Sequence, residues 1–197
     1  MLHVTCCMTP QDQLKNQIES AENILILTAE KPSLDTTAAS WALSHLLKSL
    51  GKSPVVLQQK SGMDSFSFLT PPEKTETEIK SARDFVLSFD TKRNKITDFR
   101  TENKIDSFDI YITPEKATID PRDFSFIPAK FKYDLVIVLG CQSLESLGTL
   151  SEKNSDLFFE VPVANIDNSG ANENFGQINF VDITSSSVSE ILAGLFK

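Results

Sequence analysis

Two aspartates, Asp35 and Asp167, have the clearest chemical potential in this sequence, because each follows an apolar run typical of a buried strand. Residues 24–28 precede Asp35, and residues 161–166 precede Asp167. Ligands of open parallel sheets bind beyond the carboxyl ends of the strands. Two carboxylates there could hold one hydrated magnesium or manganese ion. They are too few for a tight centre of two metal ions, since each ion needs about four to six donors.

Hydroxyl and amide groups accompany these aspartates and favour a second chemistry, which is binding of a phosphate or nucleotide at a helix N-terminus. The predicted ligand-binding residues are Thr28, Ser33, Asp35, Thr36, Asp167, Asn168 and Ser169. If Glu30 and Lys31 face the same crevice as the two aspartates, the four side chains together provide candidates for an acid, a base and a cation.

Each of these residues also has a structural interpretation. Asp35 could cap the helix that follows it, and residues 167–170 have the composition of a turn. Gly140 could let the chain leave the sheet without strain. Cys141 follows a predicted strand, but His45 lies inside a predicted helix and cannot activate it, so we expect an inert thiol.

The elements that must position these side chains follow from the hydrophobic periodicity. Residues 24–28, a helix over 35–50 and residues 54–57 form a predicted βαβ unit, and the most apolar strand is predicted at 133–139. The other predicted elements are a helix at 11–22, helical pieces at 144–150 and 152–158, strands at 161–166 and 177–181, and a helix at 185–196. The predicted fold class is α/β, an open, mostly parallel, Rossmann-like sheet with helices on both faces.

Residues 62–132 have a different pattern, in which alternation replaces helical periodicity. We predict an antiparallel, phenylalanine-rich and half-buried β insertion there, within one domain spanning residues 1–197. The polar stretch 90–95 predicts a hairpin turn between the strands on either side of it. An exposed apolar surface on this insertion would favour a protein partner or a homo-oligomer.

The strand ends resemble those of the DHH phosphoesterases, a family of metal-dependent phosphodiesterases, exonucleases and exopolyphosphatases. Residues 29–35 stand where that family has His-x-x-x-Asp-x-Asp, and Asp167-Asn168-Ser169 stands where it has Asp-His-His. The residues that match best are Asn174-Phe175-Gly176, Asn179, Val181-Asp182, Ser186-Ser187 and Glu190. The resemblance covers roughly residues 11–57 and 133–197 and implies the N-terminal domain of such an enzyme.

The family's metal ligands are mostly replaced in this sequence. Ala29 stands for the histidine of the first motif, Ser33 for its first aspartate, and Gly140 for the aspartate that ends a later strand. Asp35 and Asp167 are the ligands that remain. The family's second domain, with its glycine- and histidine-rich substrate motif, has no counterpart in the sequence.

Composition and charge narrow the classes of partner. The chain has 197 residues, 40% of them apolar, and a net charge of −8, which disfavours double-stranded nucleic acid and anionic lipid. No apolar run predicts a membrane span and the N-terminus does not predict a secretory signal. Three cysteines form no disulfide framework, so we expect a cytoplasmic protein.

Three functional hypotheses follow. The first is a degenerate, non-catalytic phosphoesterase-like protein that binds a nucleotide, a phosphate or another protein and needs no cofactor. The second is an active phosphoesterase that uses manganese or magnesium in a rebuilt or subunit-shared site. The third is a different Rossmann-type nucleotide-binding domain, although residues 29–32 lack the glycine fingerprint of that class.

Overall fold

The computed structural model of the protein describes residues 8–57, 70–79, 83–92, 94–116 and 119–196. The chain divides into two compact units, which we call the sheet unit (Met1–Ala82 with Phe131–Lys197) and the insert (Arg83–Lys130). In chain order the elements are α1 (Pro10–Ser20), β1 (Asn23–Thr28), α2 (Leu34–Ser49), β2 (Ser53–Leu57), β3 (Thr75–Glu76), β4 (Arg83–Phe89), β5 (Ile96–Asn103), β6 (Phe108–Pro114), β7 (Phe124–Phe131), β8 (Leu135–Leu139), α3 (Thr149–Lys153), α4 (Ser155–Glu160), β9 (Val163–Asp167), β10 (Ile178–Val181) and α5 (Val188–Leu195), with short 3-10 turns at Pro121–Asp123 and Leu144–Leu147.

The sheet unit is built on six parallel strands in the order β10-β9-β8-β1-β2-β3. The central strands are buried on both faces, as their uninterrupted apolar sequence predicts. Ile24 and Ile26 pack with α1, α2 and α5, whereas Leu25 and Leu27 pack with α4 and the 3-10 turn before α3. The predicted α/β fold with helices on both faces of a mostly parallel sheet is confirmed.

The region predicted as a β insertion differs from the expectation in three ways. Thr75–Glu76 pairs in parallel with β2 and so belongs to the sheet unit, while residues 62–69 lie outside the described residues. The hairpin predicted across residues 90–95 is wrong, because β4 pairs with β7 and β5 pairs with β6. Phe99 and Phe126 are 69% and 81% exposed, so these positions are not half-buried.

Hydrogen bonds explain the different pairing in the insert. Asn94 and Lys116 bond to each other in both directions through the Asn94 side chain, and the Glu115 N–H donates to the Lys95 carbonyl at 2.8 Å. These contacts extend the β5–β6 pairing back through residues 94 and 95. A turn towards β4 would have to break them.

Within the described ranges, no helix has both the length and the apolar character that crossing a membrane requires.

Candidate functional site at the strand ends

The carboxyl ends of four neighbouring strands bring most of the predicted site residues to one edge of the sheet. Thr28 is in register with Leu139, Leu139 with Ile166, and Val181 with Asp167. The segments that follow these strands therefore share this edge, where ligands of such sheets bind.

The helix that follows β1 is capped by Ser33. The Ser33 hydroxyl accepts a hydrogen bond from the Thr36 N–H at 3.0 Å and lies 2.8 Å from the Thr36 hydroxyl. The expectation that Asp35 caps this helix is therefore wrong. The reason is positional, since Asp35 lies inside the first turn, beyond the N-cap, and its carboxylate bonds elsewhere.

Asp35 instead contacts the last helix of the chain. Its Oδ2 accepts the backbone N–H of Val188, the first residue of α5, at 2.9 Å. Ser187 caps the same helix by accepting from the Glu190 N–H at 3.1 Å. A carboxylate at a helix N-terminus is stabilised by the unsatisfied N–H groups and the helix dipole. The Asp35 carboxylate therefore stabilises the N-terminus of α5.

Gly140 leaves β8 with a φ of +61°, in the left-handed region that favours glycine. A Cβ at this position would lie 2.7 Å from Thr36 Oγ1 and 3.0 Å from Thr36 Cγ2. The Thr36 side chain, which is buried, therefore fills the space that a side chain at position 140 would need. In this structure no residue larger than glycine fits there without displacing Thr36.

Asp167, at the end of β9, is almost completely buried and held by an asparagine. Asn172 Nδ2 donates to Asp167 Oδ2 and to the Cys141 carbonyl, both at 2.8 Å, and the Asn168 N–H donates to Asp167 Oδ1 at 2.8 Å. Both carboxylate oxygens of Asp167 therefore accept hydrogen bonds from the protein. Asn172 thereby links Asp167 to the Cys141 carbonyl, directly after β8.

Sequence reasoning missed two residues of this site, Asn165 in β9 and Asn172 in the loop between β9 and β10. Asn172 Oδ1 accepts from Asn165 Nδ2 at 2.7 Å and from the Asn174 N–H at 2.8 Å, so this one side chain makes four contacts. Asn165 is fully buried, and its Oδ1 has no hydrogen-bond partner among the described residues. The recurrence of asparagine at 165, 168, 172, 174 and 179 was the signal for this network.

The other predicted ligand-binding residues make local contacts. The Thr28 hydroxyl lies 3.5 Å from the Ala29 carbonyl, and the Ser169 hydroxyl accepts from the Ala171 N–H at 3.2 Å. Asn168 Nδ2 donates to the Ser185 carbonyl at 3.3 Å, which ties the loop after β9 to the segment before α5.

The proposed crevice of Glu30, Lys31, Asp35 and Asp167 does not form around Glu30. Glu30 lines a cavity of about 620 Å³ together with Thr77, Glu78 and Lys153, and none of Lys31, Asp35 and Asp167 lines that cavity in the described chain. The reason is that Glu30 turns towards Gly148 on the far side of β1, whereas Asp35 turns towards α5.

Three side chains near the strand ends have pKa values that burial or hydrogen bonds shift from their usual range. Burial, with a smaller effect of the Asp167 charge, raises the pKa of the Cys141 thiol to about 12. Hydrogen bonds from Thr184 and Ser185 lower the pKa of Asp182 to about 2. Bonds from Ser186 lower the pKa of Glu190. Cys141 is therefore protonated and inert near neutral pH, whereas Asp182 is ionised.

The donor set does not fit the two-metal centre of a phosphoesterase. No group of three or more His, Cys, Asp or Glu side chains is close enough to hold a metal ion among the described residues. Asp35 and Asp167 already accept hydrogen bonds from the protein, which use part of the lone-pair capacity that a metal ion would need.

Comparison with known proteins yields a structural relative. Neither a protein-family model nor a curated protein matches the sequence. The solved structure of an exopolyphosphatase-related protein from Bacteroides fragilis aligns with 94% of this chain at a TM-score of 0.53 and 16% identity. The two proteins share a fold.

The chain spans 42% of the length of that relative. At this identity the likeness is evidence of architecture, and it agrees with the parallel α/β sheet predicted from the sequence. It extends across nearly the whole chain, whereas the sequence resemblance covered only the segments on either side of the insert.

Proposed function

We propose that this chain is a phosphoesterase-like protein that does not hydrolyse phosphoesters and acts instead as a protein-interaction module. The observation that carries the proposal is the packing of Thr36 against Gly140. The DHH phosphoesterases, which this sequence resembles, have a metal-binding aspartate where this chain has Gly140. The Thr36 side chain fills the space that a larger residue would need at this position.

The two remaining acids support the same conclusion. Asp35 accepts the first N–H of α5, and Asp167 accepts N–H groups of Asn168 and Asn172. Two-metal hydrolysis needs carboxylates that converge on the ions with free lone pairs. Here both acids stabilise the termini and loops of the fold, which is a structural use of residues that the family uses for chemistry.

The relation to phosphoesterases rests on two independent likenesses. The motif residues from Asn174 to Glu190 resemble those of the DHH family, and the fold resembles that of a protein described as exopolyphosphatase-related. Neither likeness concerns the metal ligands. Ancestry and loss of catalysis are therefore compatible.

A nucleotide or phosphate ligand is less favoured at this edge of the sheet. The Ser33 and Thr36 hydroxyls pair with each other, and the Val188 N–H is already paired with Asp35. The carboxylates of Asp35, Asp167, Asp182 and Glu190 all lie on the segments that follow these strands or begin α5, and they would repel a phosphate.

A protein ligand is favoured by the insert. Its strands expose large apolar side chains to an extent that is unusual for a solvated surface, with Phe99, Phe108 and Phe126 between 61% and 81% exposed. Apolar surface of this kind is typical of a surface that binds another protein.

Hydrolysis assays test the proposal. The purified protein is incubated with polyphosphate, a short oligoribonucleotide and a cyclic dinucleotide in millimolar manganese, beside the variant Asp35→Asn/Asp167→Asn. The substitution keeps an acceptor for the Val188 N–H at position 35 and one of the two acceptors at position 167, and it removes the charge that a metal ion needs at both positions. We expect equal, background-level turnover for both proteins and no rise in melting temperature with manganese.

Turnover that disappears in the double variant would overturn the proposal and favour a rebuilt metal site. Turnover that persists in the double variant would point to a contaminating enzyme or to another site, and Thr149→Trp, which places a large side chain in the wall of the cavity beside Glu30, would distinguish the two.

A further inference from the structure

The hairpin formed by β5 and β6 has two chemically different faces. The register pairs Phe99 with Ile112, Thr101 with Ile110 and Asn103 with Phe108 on one face. The other face pairs Arg100 with Tyr111 and Glu102 with Asp109. Because facing residues of an antiparallel pair share a side of the sheet, one face is mainly apolar and the other is charged.

The outer edge of β5 presents backbone groups that do not pair with β6. The Lys104 N–H donates to the Ser107 carbonyl at 2.8 Å, which makes this a hydrogen-bonded pair. Such pairs alternate with non-hydrogen-bonded pairs along an antiparallel ladder. Phe99, Thr101 and Asn103 therefore direct their N–H and C=O groups away from β6.

The contacts of Phe99 support this assignment. Its backbone N–H donates to Oδ1 of the preceding residue, Asp98, at 2.9 Å, so it is not used in the bond ladder with β6. In the described residues, β5 pairs with β6 alone. An edge of this kind can accept another strand.

The charges along the outer edge of β5 indicate which strand could pair with it. On the charged face, β5 and the residue after it carry Asp98, Arg100, Glu102 and Lys104, which alternate in sign. We propose that two copies of this chain pair through β5, antiparallel, with Thr101 opposite its own copy at the twofold axis. The inference goes beyond the proposed function and holds whether or not the strand ends hydrolyse phosphoesters.

This register pairs the charged side chains of the two strands and also their outward backbone groups. It places Arg100 opposite Glu102 of the partner subunit and Asp98 opposite Lys104 of the partner subunit, and symmetry doubles both pairs. It also places the outward N–H and C=O groups of Phe99 opposite those of the partner's Asn103. The charged pairs fall at non-hydrogen-bonded positions, where facing side chains are closest.

Other positions of the twofold axis along β5 give less favourable pairings. A centre at Arg100 or at Glu102 puts identical charges opposite each other, and like charges directly opposite are destabilising. A centre at Phe99 keeps only the pair of Asp98 with Arg100. A centre at Asn103 would require pairing by Ile105 and Asp106, which form the hairpin turn. One register therefore combines all four attractive pairs.

The other edge of the hairpin, formed by β6, lacks this alternating pattern of charges. Asp109 is the single charged residue of β6, and the strand ends at Pro114, which has no N–H to donate. The charged side chains of β5 also remain accessible, with the Glu102 and Lys104 side chains 55% and 47% exposed. Within one hairpin Lys104 forms ion pairs with Asp109 and Glu102. Tyr111 donates to Glu102, and its ring lies under the Arg100 guanidinium. The proposed pairs across the axis would add to these contacts.

Charge variants test the pairing by sedimentation velocity over a range from about 1 µM to about 1 mM protein. We expect the wild type to dimerise within this range. Arg100→Glu and Glu102→Arg each place two like-charged pairs across the axis and should weaken dimerisation about tenfold or more. An equimolar mixture of the two variants places opposite charges at every position and should restore the dimer.

Backbone variants provide a second, independent test with a matched control. Thr101→Pro removes the central outward N–H of β5, and Ile110→Pro removes an equivalent outward N–H of β6, so both are tolerated by the ladder of the hairpin itself. We expect Thr101→Pro to abolish the dimer and Ile110→Pro to retain it, with circular dichroism confirming that both remain folded.

A wild type that stays monomeric up to about 1 mM would overturn the proposal. So would a mixture of charge variants that sediments as the separate variants do, or a dimer lost in Ile110→Pro and kept in Thr101→Pro.

Discussion

Oδ2 of Asp35 lies 2.9 Å from the backbone N of Val188, 153 residues later in the chain. The contact joins the first turn of α2 to the first residue of α5, and both helices pack on the same face of the sheet. An acid expected to serve a ligand or its own helix thus connects two elements that are distant in sequence.

Replacing Asp35 should measure the value of this contact. Val188 is buried, so Asp35→Ala leaves its N–H without an acceptor and should lower the free energy of unfolding by about 1–3 kcal/mol. Asp35→Asn keeps an acceptor and should lose only the charge–dipole part, about 0.3–1 kcal/mol. Urea denaturation gives both values, and exposed Asp156 in the first turn of α4 provides the control Asp156→Ala, expected within about 0.5 kcal/mol of wild type. An Asp35→Ala variant as stable as this control would contradict the structural role.

The contact between Gly140 and Thr36 predicts energetic coupling. Gly140→Ala should lower the free energy of unfolding by about 1–2 kcal/mol for the positive φ alone, and by more because its Cβ meets Thr36. In a Thr36→Ala background the nearest atoms are gone, so the same substitution should cost at least about 0.5 kcal/mol less. A double-mutant cycle by urea denaturation measures this difference. Strict additivity of the two substitutions would show that the side chains do not compete for space.

Asn172 should be among the most sensitive polar residues of the sheet unit. Asn172→Ala removes contacts to Asp167, Asn165 and the Cys141 carbonyl, and we expect a loss of about 2–4 kcal/mol. Asn172→Asp replaces a donor with a carboxylate facing Asp167, so it should be worse at pH 7 and recover partly as the pH falls. Thermal melts of both variants are compared with Glu173→Ala, an exposed neighbour. Equal stability of all three variants would exclude the network as a major contribution.

The buried thiol of Cys141 should make stability depend on alkaline pH. Its pKa is raised from 9.0 to about 12 in the fold, so above pH 9 the unfolded chain releases a proton that the folded chain retains. The unfolded state is then favoured, and stability should fall between pH 9 and 12 by roughly 1.4 kcal/mol per pH unit. Cys141→Ala removes this contribution, and the difference between the two proteins in urea denaturation at several pH values isolates it. Parallel pH profiles would contradict the burial of the thiol.

The sheet unit could be predicted from sequence because its signals are local. Strand β8 is five consecutive buried apolar residues, and α2 repeats its apolar positions at helical spacing until Gly51 ends the pattern. The strand ends were located correctly for the same reason, since a site at the edge of a parallel sheet follows from where its strands stop.

Local sequence signals could not predict how distant segments pair. Alternation along β4, β5, β6 and β7 predicts strands but contains no information on which strand bonds to which, and for β4 the next strand in sequence was the wrong choice. The partner of Asp35 and the position of Thr36 over Gly140 depend on how complete elements pack. Sequence reasoning named the residues at the strand ends but not their partners.

The threonine over Gly140 has a consequence for how this sequence can change. A carboxylate installed at position 140 collides with Thr36, and a smaller residue installed first at position 36 opens a void and removes the hydroxyl that faces Ser33. Either order passes through a protein less stable than the one at the start. The two positions are therefore coupled: a single substitution at either one gives a less stable protein, and a carboxylate cannot be introduced here by single steps that each preserve stability.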